Sequence, residues 1–259
     1  MKKAYITGAT GAIGMALVDE LLKNGISTTV FLRKGSGRND RVKDSFSGEL
    51  ASGLLRIEYV SLEELSGYAL SRNTQDMQTY ASQDLLTKAA GGADTAVFYH
   101  LGWSGTFGEQ RNNADMQQKN VEYTLDAVRL AKRLGCVHFI GVGSQAEYGR
   151  FEGRLTPDTR TLPENEYGRA KLAAGIRSAE LCRELGLRHS WVRVLSVYGP
   201  FDGRNTMIMS VIRGLLSGER VALTKGEQIW NYLYSGDAAR ALLMLGASSL
   251  SEQNLLSCR

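Results

Sequence analysis

Residues 3–14 read KAYITGATGAIG, and residues 15–23 continue as MALVDELLK. Residues 3–7 form a short apolar run that reads as a strand. Glycines then fall at 8, 11 and 14, and apolar residues recur at 15, 17, 18, 21 and 22, the spacing of a helix laid on a sheet. Strand, glycine loop and helix in direct succession is the setting that a dinucleotide-binding turn needs. The spacing is G-x-x-G-x-x-G rather than G-x-G-x-x-G. Gly8 takes the tight turn without a Cβ, Gly11 lets a pyrophosphate approach the backbone, and Gly14 lets helix and strand close up. Thr10, Ala12 and Ile13 complete the expected cofactor loop, because backbone N–H groups and the positive dipole end of the helix collect there. A βα turn that binds nothing can carry the same glycines, so the setting and not the triplet decides the reading.

The alternation continues outward from this stretch. Strands are expected at 27–32, 54–60, 95–101, 137–142 and 190–195, and helices at 81–90, 115–134, 165–185, 207–216 and 237–245. Residues 221–223 suggest a short strand, and 230–234, WNYLY, an aromatic one. Repeated strand–helix alternation implies an α/β fold, a doubly wound parallel sheet of Rossmann-like type. Residues 1–195 are assigned to a dinucleotide-binding domain containing helix 165–185. Residues 196–259 are assigned mainly to a small C-terminal substrate lobe, with loop 149–163 contributing and helix 237–245 able to return to the main domain.

Composition excludes several classes. The 259 residues suffice for a large core, and 43% apolar with 22% charged residues describes a globular chain. No apolar run is long enough to cross a bilayer, so no membrane association is expected. Cys136, Cys182 and Cys258 are widely spaced without a C-x-x-C pair, and no leader-like stretch precedes the first strand, so a reduced, cytoplasmic setting is expected. The net charge of +4 is dispersed, and no basic run interleaves with aromatics, which argues against nucleic acid as a partner. No metal-ligand cluster is expected.

Past the second strand, residues 33–38 read RKGSGR, with no acidic residue from 30 to 38. An acidic residue here would bind the ribose hydroxyls of NAD, whereas Arg33 and its basic neighbours suit a ribose 2′-phosphate. NADP(H) is therefore favoured, with NAD(H) the other option. His100 falls near the end of the fourth strand and reads as a satisfied, non-titrating residue of a cofactor pocket. Tyr167 and Lys171, four apart on one helix, share a face. An ammonium near a phenol favours the phenolate, and such a pair can move a proton at an alcohol or carbonyl oxygen while hydride moves at carbon. Lys171 can also reach a cofactor ribose, and Ser144 can hold the same substrate oxygen or serve as a turn-capping residue.

The stretches TGATGAIG (7–14), FYHLGW (98–103), KNVEYT (119–124), GVGSQAEYG (141–149), EYGRAK (166–171), RVLSVYGP (193–200) and WNYLYSGDAARAL (230–242) carry a resemblance. The chain resembles the extended short-chain dehydrogenase/reductase family in its NAD-dependent epimerase/dehydratase, nucleotide-sugar branch. The resemblance implies that Gly8, Gly11 and Gly14 hold the cofactor pyrophosphate, with Leu101, Tyr167 and Lys171 also at the cofactor. It implies Ser144, Tyr167 and Lys171 as catalytic residues, Asn120 as the helix asparagine that supports them, and a nucleoside-diphosphate sugar as substrate. Ser144, Gln145, Tyr167, Ser196 and Arg204 are the candidate substrate contacts.

Departures from the family pattern narrow the chemistry. Sugar 4,6-dehydratases usually have Thr-Asp-Glu where this chain has Ser144-Gln145-Ala146; neither Gln145 nor Ala146 can act as acid or base, so dehydration is not expected. The usual Asn is Ser196, and the usual Arg-Asp pair before the last helix is Trp230-Asn231, leaving Arg204 or Arg213 for the diphosphate. The acidic residue usual after the third strand is missing at Val60-Ser61. Family members commonly run past the helix at 237–245, which implies a substrate lobe that is either small or only partly within these residues. The reading is an NAD(P)H-dependent keto-sugar reductase, with a 4-epimerase holding NAD as the alternative. A non-catalytic NADP-sensing regulator is the reading from another class, and the intact Ser144, Tyr167 and Lys171 argue against it. Helices 115–134 and 165–185 are expected to pair in a homodimer.

Overall fold

In the computed structural model, which describes residues 1–68, 95–156, 158–227 and 230–248, β1 (Lys3–Thr7) is an inner strand of a parallel sheet. Side chains alternate across it, so that Ala4 and Ile6 enter the apolar cluster on one face and Tyr5 packs on the other. The partners are β2 (Ser27–Leu32), β3 (Leu55–Tyr59), β4 (Ala96–His100), β5 (Cys136–Ser144) and β6 (Arg188–Val194), in the order β3-β2-β1-β4-β5-β6. Thr7 lies opposite Phe31 on one side and His100 on the other. The strand order reverses between β1 and β4, and the crevice outside their carboxyl ends is where such sheets bind ligands. The doubly wound sheet expected from the sequence is therefore present.

The helices are α1 (Ala12–Lys23), α2 (Asn39–Ser45), α3 (Ser47–Ala51), α4 (Ala114–Arg133), α5 (Glu166–Glu184), α6 (Met207–Leu216) and α7 (Ser235–Ala247). On one face α1 and α7 pack together, burying Leu17, Val18 and Leu21 of α1 with Ala239, Leu242 and Leu245 of α7. On the other face Val128 and Ala131 of α4 and Cys182 of α5 cover Phe98 and Phe139. There Phe31, Tyr5, Phe98, Phe139 and His189 form a row of rings across the sheet, with successive centroids 5.9–6.4 Å apart. Trp191 extends this row and sits in a slot made by glycines. A Cβ at Gly141, Gly143 or Gly175 would come within 2.3, 2.4 or 2.8 Å of its indole, so β5 and α5 can close on it only because these positions lack one.

The structure adds to the sequence reading and corrects it in places. Residues 39–51 form α2 and α3, which polar composition conceals; Val42 and Phe46, four apart, anchor them in the core. Residues 221–223 do not form a strand. Val221 instead packs its Cγ2 where a Cβ of Gly214 would lie, 2.4 Å away, against α6. Of the 230–234 stretch, β8 (Tyr232–Tyr234) is the strand, and it pairs in parallel with β7 (Ser196–Tyr198) in a separate two-stranded sheet. The expected helix at 81–90 and the tail from 249, Cys258 included, lie outside the described residues. No helix among the described residues is long and apolar enough to cross a membrane.

His100 and His138 are buried in the sheet and His189 is partly buried beside them; all three are held neutral. Burial, with the charge of Lys171 as a smaller cause, pushes His100 down to about 3; burial pushes His138 and His189 down to about 4. The unfolded chain takes up these protons near pH 6.5, whereas the folded chain takes them up only at much lower pH. The stability these groups contribute is therefore full above about pH 6.5 and falls as pH drops toward 4. Urea unfolding midpoints measured from pH 7.5 to 4 should show this decline.

Candidate active site

The glycine loop joins β1, α1 and β4. Gly8 has φ +76°, and a Cβ there would lie 2.6 Å from the Leu101 carbonyl carbon and 2.7 Å from the Gly102 nitrogen. Gly14 abuts the loop even more closely, with its Cβ position 2.2 Å from the Gly8 oxygen. Gly11 differs: the nearest atom to its Cβ position is the Gly8 oxygen at 3.8 Å, so the fold leaves that side open. Gly11 is also the N-cap of α1, with no side chain capping the helix and no acid in its first turn. An uncapped N-terminus beside an open glycine fits a pyrophosphate, since it offers free N–H groups and a positive dipole end. Thr10, Ala12 and Ile13 are half-buried around it, and Leu101 follows β4 with its N–H on the Thr7 oxygen at 3.1 Å.

Arg33 is exposed past the end of β2, and its carbonyl accepts from Asn39 Nδ2 at 3.0 Å. Beside it lies a cleft of about 410 Å³ whose lining includes Lys34, Ser36, Asn39 and Lys43 but not Arg33. The Oδ1 of Asn39 is buried without a hydrogen-bond partner among the described residues. Arg41, which the sequence reading passed over, reaches back from α2 and donates to the Thr10 oxygen at 3.1 Å and the Phe201 oxygen at 3.2 Å.

A hydrogen-bond chain runs from β1 into α4. Thr124 donates to the Asn120 oxygen at 2.9 Å, so its hydroxyl is left to accept from His100 Nε2 at 3.2 Å. That fixes the tautomer, and His100 Nδ1 accepts from the Thr7 hydroxyl at 2.9 Å. His100 is thus saturated as a neutral ring. Asn120 clamps the loop after β4 by accepting from the Ser104 N–H and donating to the Ser104 oxygen, both at 2.9 Å.

Ser144 ends β5 and starts a 3-10 turn, Gln145–Glu147, as half of a capping box with Glu147. Its Oγ accepts from the Ala146 N–H at 3.2 Å, while its own N–H donates to Glu147 Oε1 at 2.8 Å. Accepting from backbone leaves the Ser144 proton free to donate, and the Tyr167 phenol is a hydrogen-bonding neighbour. Glu147 is fully buried. It also accepts from Trp191 Nε1 at 3.0 Å and from Arg193 Nε at 2.7 Å, and Arg193 further donates to the Tyr148 hydroxyl. The Ser-x-x-Glu spacing at 144–147 was the available signal for this carboxylate; its partners Trp191 and Arg193 are brought in only by the fold.

Tyr167 and Lys171 share a face of α5 as expected, but their relation differs from the expected phenolate–ammonium pair. Lys171 Nζ donates to the Val142 oxygen at 2.6 Å and lies 3.8 Å over the Trp103 ring. It is 6.0 Å from the Tyr167 ring centroid. Burial lowers its pKa to about 7. Burial raises the Tyr167 pKa above the ordinary phenol value, with Ser144 and Arg111 opposing and Glu147 reinforcing the rise. The aromatic lining that desolvates both groups is the physical reason. Gln145 is half-buried in its turn. The Ser196 hydroxyl is taken by Trp230 Nε1 at 2.5 Å, and Arg204 is exposed, its carbonyl accepting from Ser210 and Arg213. The structure thus brings Ser144, Tyr167, Lys171 and Asn120 toward one crevice, and leaves Arg33 and Arg204 exposed.

The glycines give a paired expectation. Gly11→Val should keep the melting temperature of the wild type and lose most affinity for nicotinamide dinucleotides. Gly14→Val should lower the melting temperature itself, because its side chain meets backbone. Calorimetry and thermal melts of the two variants check this.

The sequence matches the NAD dependent epimerase/dehydratase family over residues 4–254. A comparison with curated sequences finds no match. Among solved structures, the chain is similar to UDP-glucuronic acid 4-epimerase from Bacillus cereus in complex with NAD, with TM-score 0.72 and 19% identity over 98% of this chain and 77% of that one. It is also similar to UDP-N-acetylglucosamine 4-epimerase from Methanobrevibacter ruminantium M1 in complex with UDP-N-acetylmuramic acid, with TM-score 0.73 and 21% identity over 96% and 74% of the two chains. A UDP-galactose 4-epimerase aligns with TM-score 0.68 and 23% identity over 94% and 71%. With its sheet, its open glycine loop and a family match over nearly the whole length, the chain belongs to the NAD-dependent epimerase/dehydratase family of enzymes.

Proposed function

We propose that this protein oxidises or reduces a ring carbon of a nucleoside-diphosphate sugar, with Tyr167 as the acid–base group. The observation that carries the reading is the convergence of Ser144 and Tyr167 at the carboxyl end of β5, beside the switch point and its uncapped helix. The bound nicotinamide would supply or accept hydride at the sugar carbon. The glycine loop and the α1 N-terminus hold the pyrophosphate. Ser144 donates to the sugar oxygen, and Tyr167 gives that oxygen a proton or takes one from it. The clamp from Asn120 to Ser104 keeps the loop after β4 in place beside them. Residues 196–259 in the main, with loop 149–163, make the proposed substrate lobe, where Arg204 and Arg213 are the cations offered to a diphosphate.

Two reactions share this step. The similar structures are 4-epimerases of UDP-sugars, which favours 4-epimerisation of a UDP-sugar through a 4-keto intermediate. Keto-sugar reduction is favoured by two other observations. Burial keeps the Tyr167 phenol protonated, as an acid must be at the start, and the loop after β2 is basic. Dehydration lacks its acid and base at Gln145 and Ala146. Incubation of the full chain with a panel of nucleoside-diphosphate sugars decides between the two. Interconversion of 4-epimers with no net cofactor use means epimerase, and stoichiometric NADPH consumption with one hydroxyl epimer formed means reductase. Tyr167→Phe should keep cofactor binding and lose turnover by about 10²–10⁴-fold. Lys171→Ala should harm both. Full activity in Tyr167→Phe would sink both reactions.

For the cofactor we propose NADP(H) over NAD(H), supported by Lys34, Ser36 and Lys43 in the cleft beside Arg33. A ribose 2′-phosphate binds such groups by charge-assisted hydrogen bonds. Arg33→Ala and Lys34→Ala should weaken NADPH by about ten- to hundredfold and leave NADH nearly unchanged. Equal losses for both cofactors would reverse the preference.

A further inference from the structure

Two segments far apart in the chain meet at one side chain beside the glycine loop. Arg41, on α2, donates from Nη1 to the Thr10 oxygen at 3.1 Å and to the Phe201 oxygen at 3.2 Å. Its Cζ also lies 5.6 Å from the centroid of the Phe201 ring. Thr10 belongs to the loop that fits a pyrophosphate, and Phe201 follows β7. The two ends of this bridge are built differently. On the α2 side, Val42 and Phe46 enter the core, and buried Asn39 donates to the Arg33 oxygen at 3.0 Å. On the other side, Phe201 is the non-glycine residue that has a positive φ, +66°, among the described residues. A bulky residue stays in the left-handed region only where its surroundings impose it. Its side chain is exposed, so burial does not account for the strain. The carbonyl of this strained residue is the one that Arg41 holds. Beyond it the turn is tied to itself: Asp202 accepts from the Gly203 N–H at 2.7 Å and from the Thr206 hydroxyl at 2.8 Å.

We propose that Arg41 is a clasp: by joining the Phe201 carbonyl to the Thr10 carbonyl it keeps loop 199–206 closed against the glycine loop, and so sets the rate at which a nicotinamide dinucleotide leaves. The inference goes beyond the sugar chemistry and rests only on the dinucleotide site. A guanidinium suits this task, because it carries its N–H donors in one rigid plane and stays charged at any working pH. Bonds from a charged donor to carbonyl oxygens are stronger than neutral ones. For the loop to swing away, the bond to Phe201 and the contact with its ring must break together. Opening then relieves the strain at Phe201, so the closed state is held by Arg41 and not by the loop's own preference. The arm that carries Arg41 does not follow, since α2 is fixed in the core by Val42 and Phe46. A loop tied in this way, compact in itself and strained where it is fastened, has the build of a gate whose opening limits release.

The test follows the cofactor and the loop, and needs no turnover. Calorimetry on the full wild-type chain first establishes binding of NADPH or NADH, so that a failure of the clasp is told apart from a failure of the site. Release is then read in stopped flow, as nicotinamide fluorescence lost on mixing the complex with excess oxidised cofactor, and entry as fluorescence gained on mixing the free chain with reduced cofactor. Arg41→Met should speed release by about tenfold and should not slow entry, because an unfastened loop opens the crevice in both directions. Arg41→Gln serves as a second variant, and thermal melts confirm that each is folded. Backbone hydrogen exchange on the free chain reads the loop itself. The Asp202 and Thr206 N–H groups, bonded to the Gly199 and Gly203 oxygens, should exchange faster in both variants, with α1 unchanged. Unchanged release in both variants overturns the proposal, and so does unchanged exchange in loop 199–206. Faster release combined with slower entry would make Arg41 a charge that attracts the phosphates and also overturns it. A wild-type chain that binds neither cofactor would remove the dinucleotide site and the clasp together, whatever the sugar chemistry.

Discussion

Everything at the crevice depends on how closely backbone meets backbone around the glycine loop. Gly8 presses on the Leu101–Gly102 peptide and Gly14 on the Gly8 carbonyl, both inside the distance a Cβ would occupy. These two contacts hold β1, α1 and β4 at the point where strand order reverses. They leave Gly11 facing open space at the helix N-terminus, so the same seven residues that lock the fold also shape the anion site. A side chain at 8 or 14 is a folding problem, whereas one at 11 is a binding problem.

The floor of the active site is built on a second constraint, a carboxylate with nowhere to go. Glu147 is buried under Ser144 and answered by one backbone N–H, the Trp191 indole and the Arg193 guanidinium. A buried charge is tolerated only when its lone pairs are filled, and removing one partner of such a pair costs about 3–5 kcal/mol. That requirement ties β6 to the turn after β5. The glycines at 141, 143 and 175 make the room for Trp191 that lets it happen. Ser144 inherits its orientation from this arrangement: its acceptor side faces backbone N–H groups and its proton is left for the crevice.

Above that floor the site is aromatic. Trp103 receives the Lys171 ammonium, meets Tyr167 by its edge, and is itself held by Gln117. The same desolvation lowers the lysine and raises the tyrosine, so each favours its neutral form and the two do not make a permanent ion pair. Asn120, Thr124 and His100 brace the loop from behind without titrating, which keeps the geometry of the crevice insensitive to pH over the range in which the tyrosine and lysine act.

By itself the sequence determined the α/β class, the parallel sheet, the glycine turn and most element positions. Those signals are local: period-two and period-3.6 apolar patterns, and glycine spacing between a strand and a helix. It also supplied Ser144, Tyr167 and Lys171 as candidates, because a helical four-residue interval and a strand-end serine are visible without coordinates. It could not supply α2 and α3, whose hold on the core is Val42, Phe46 and the partly buried Leu50 in a polar run, nor the fate of 221–223, decided by a contact with Gly214. Tertiary structure alone decided that Lys171 turns to Val142 and Trp103, that Arg111 comes to rest on Tyr167, and that Arg193 answers Glu147. Each of those depends on desolvation and on partners 29 to 68 positions apart in the chain, quantities that residue type and spacing do not carry.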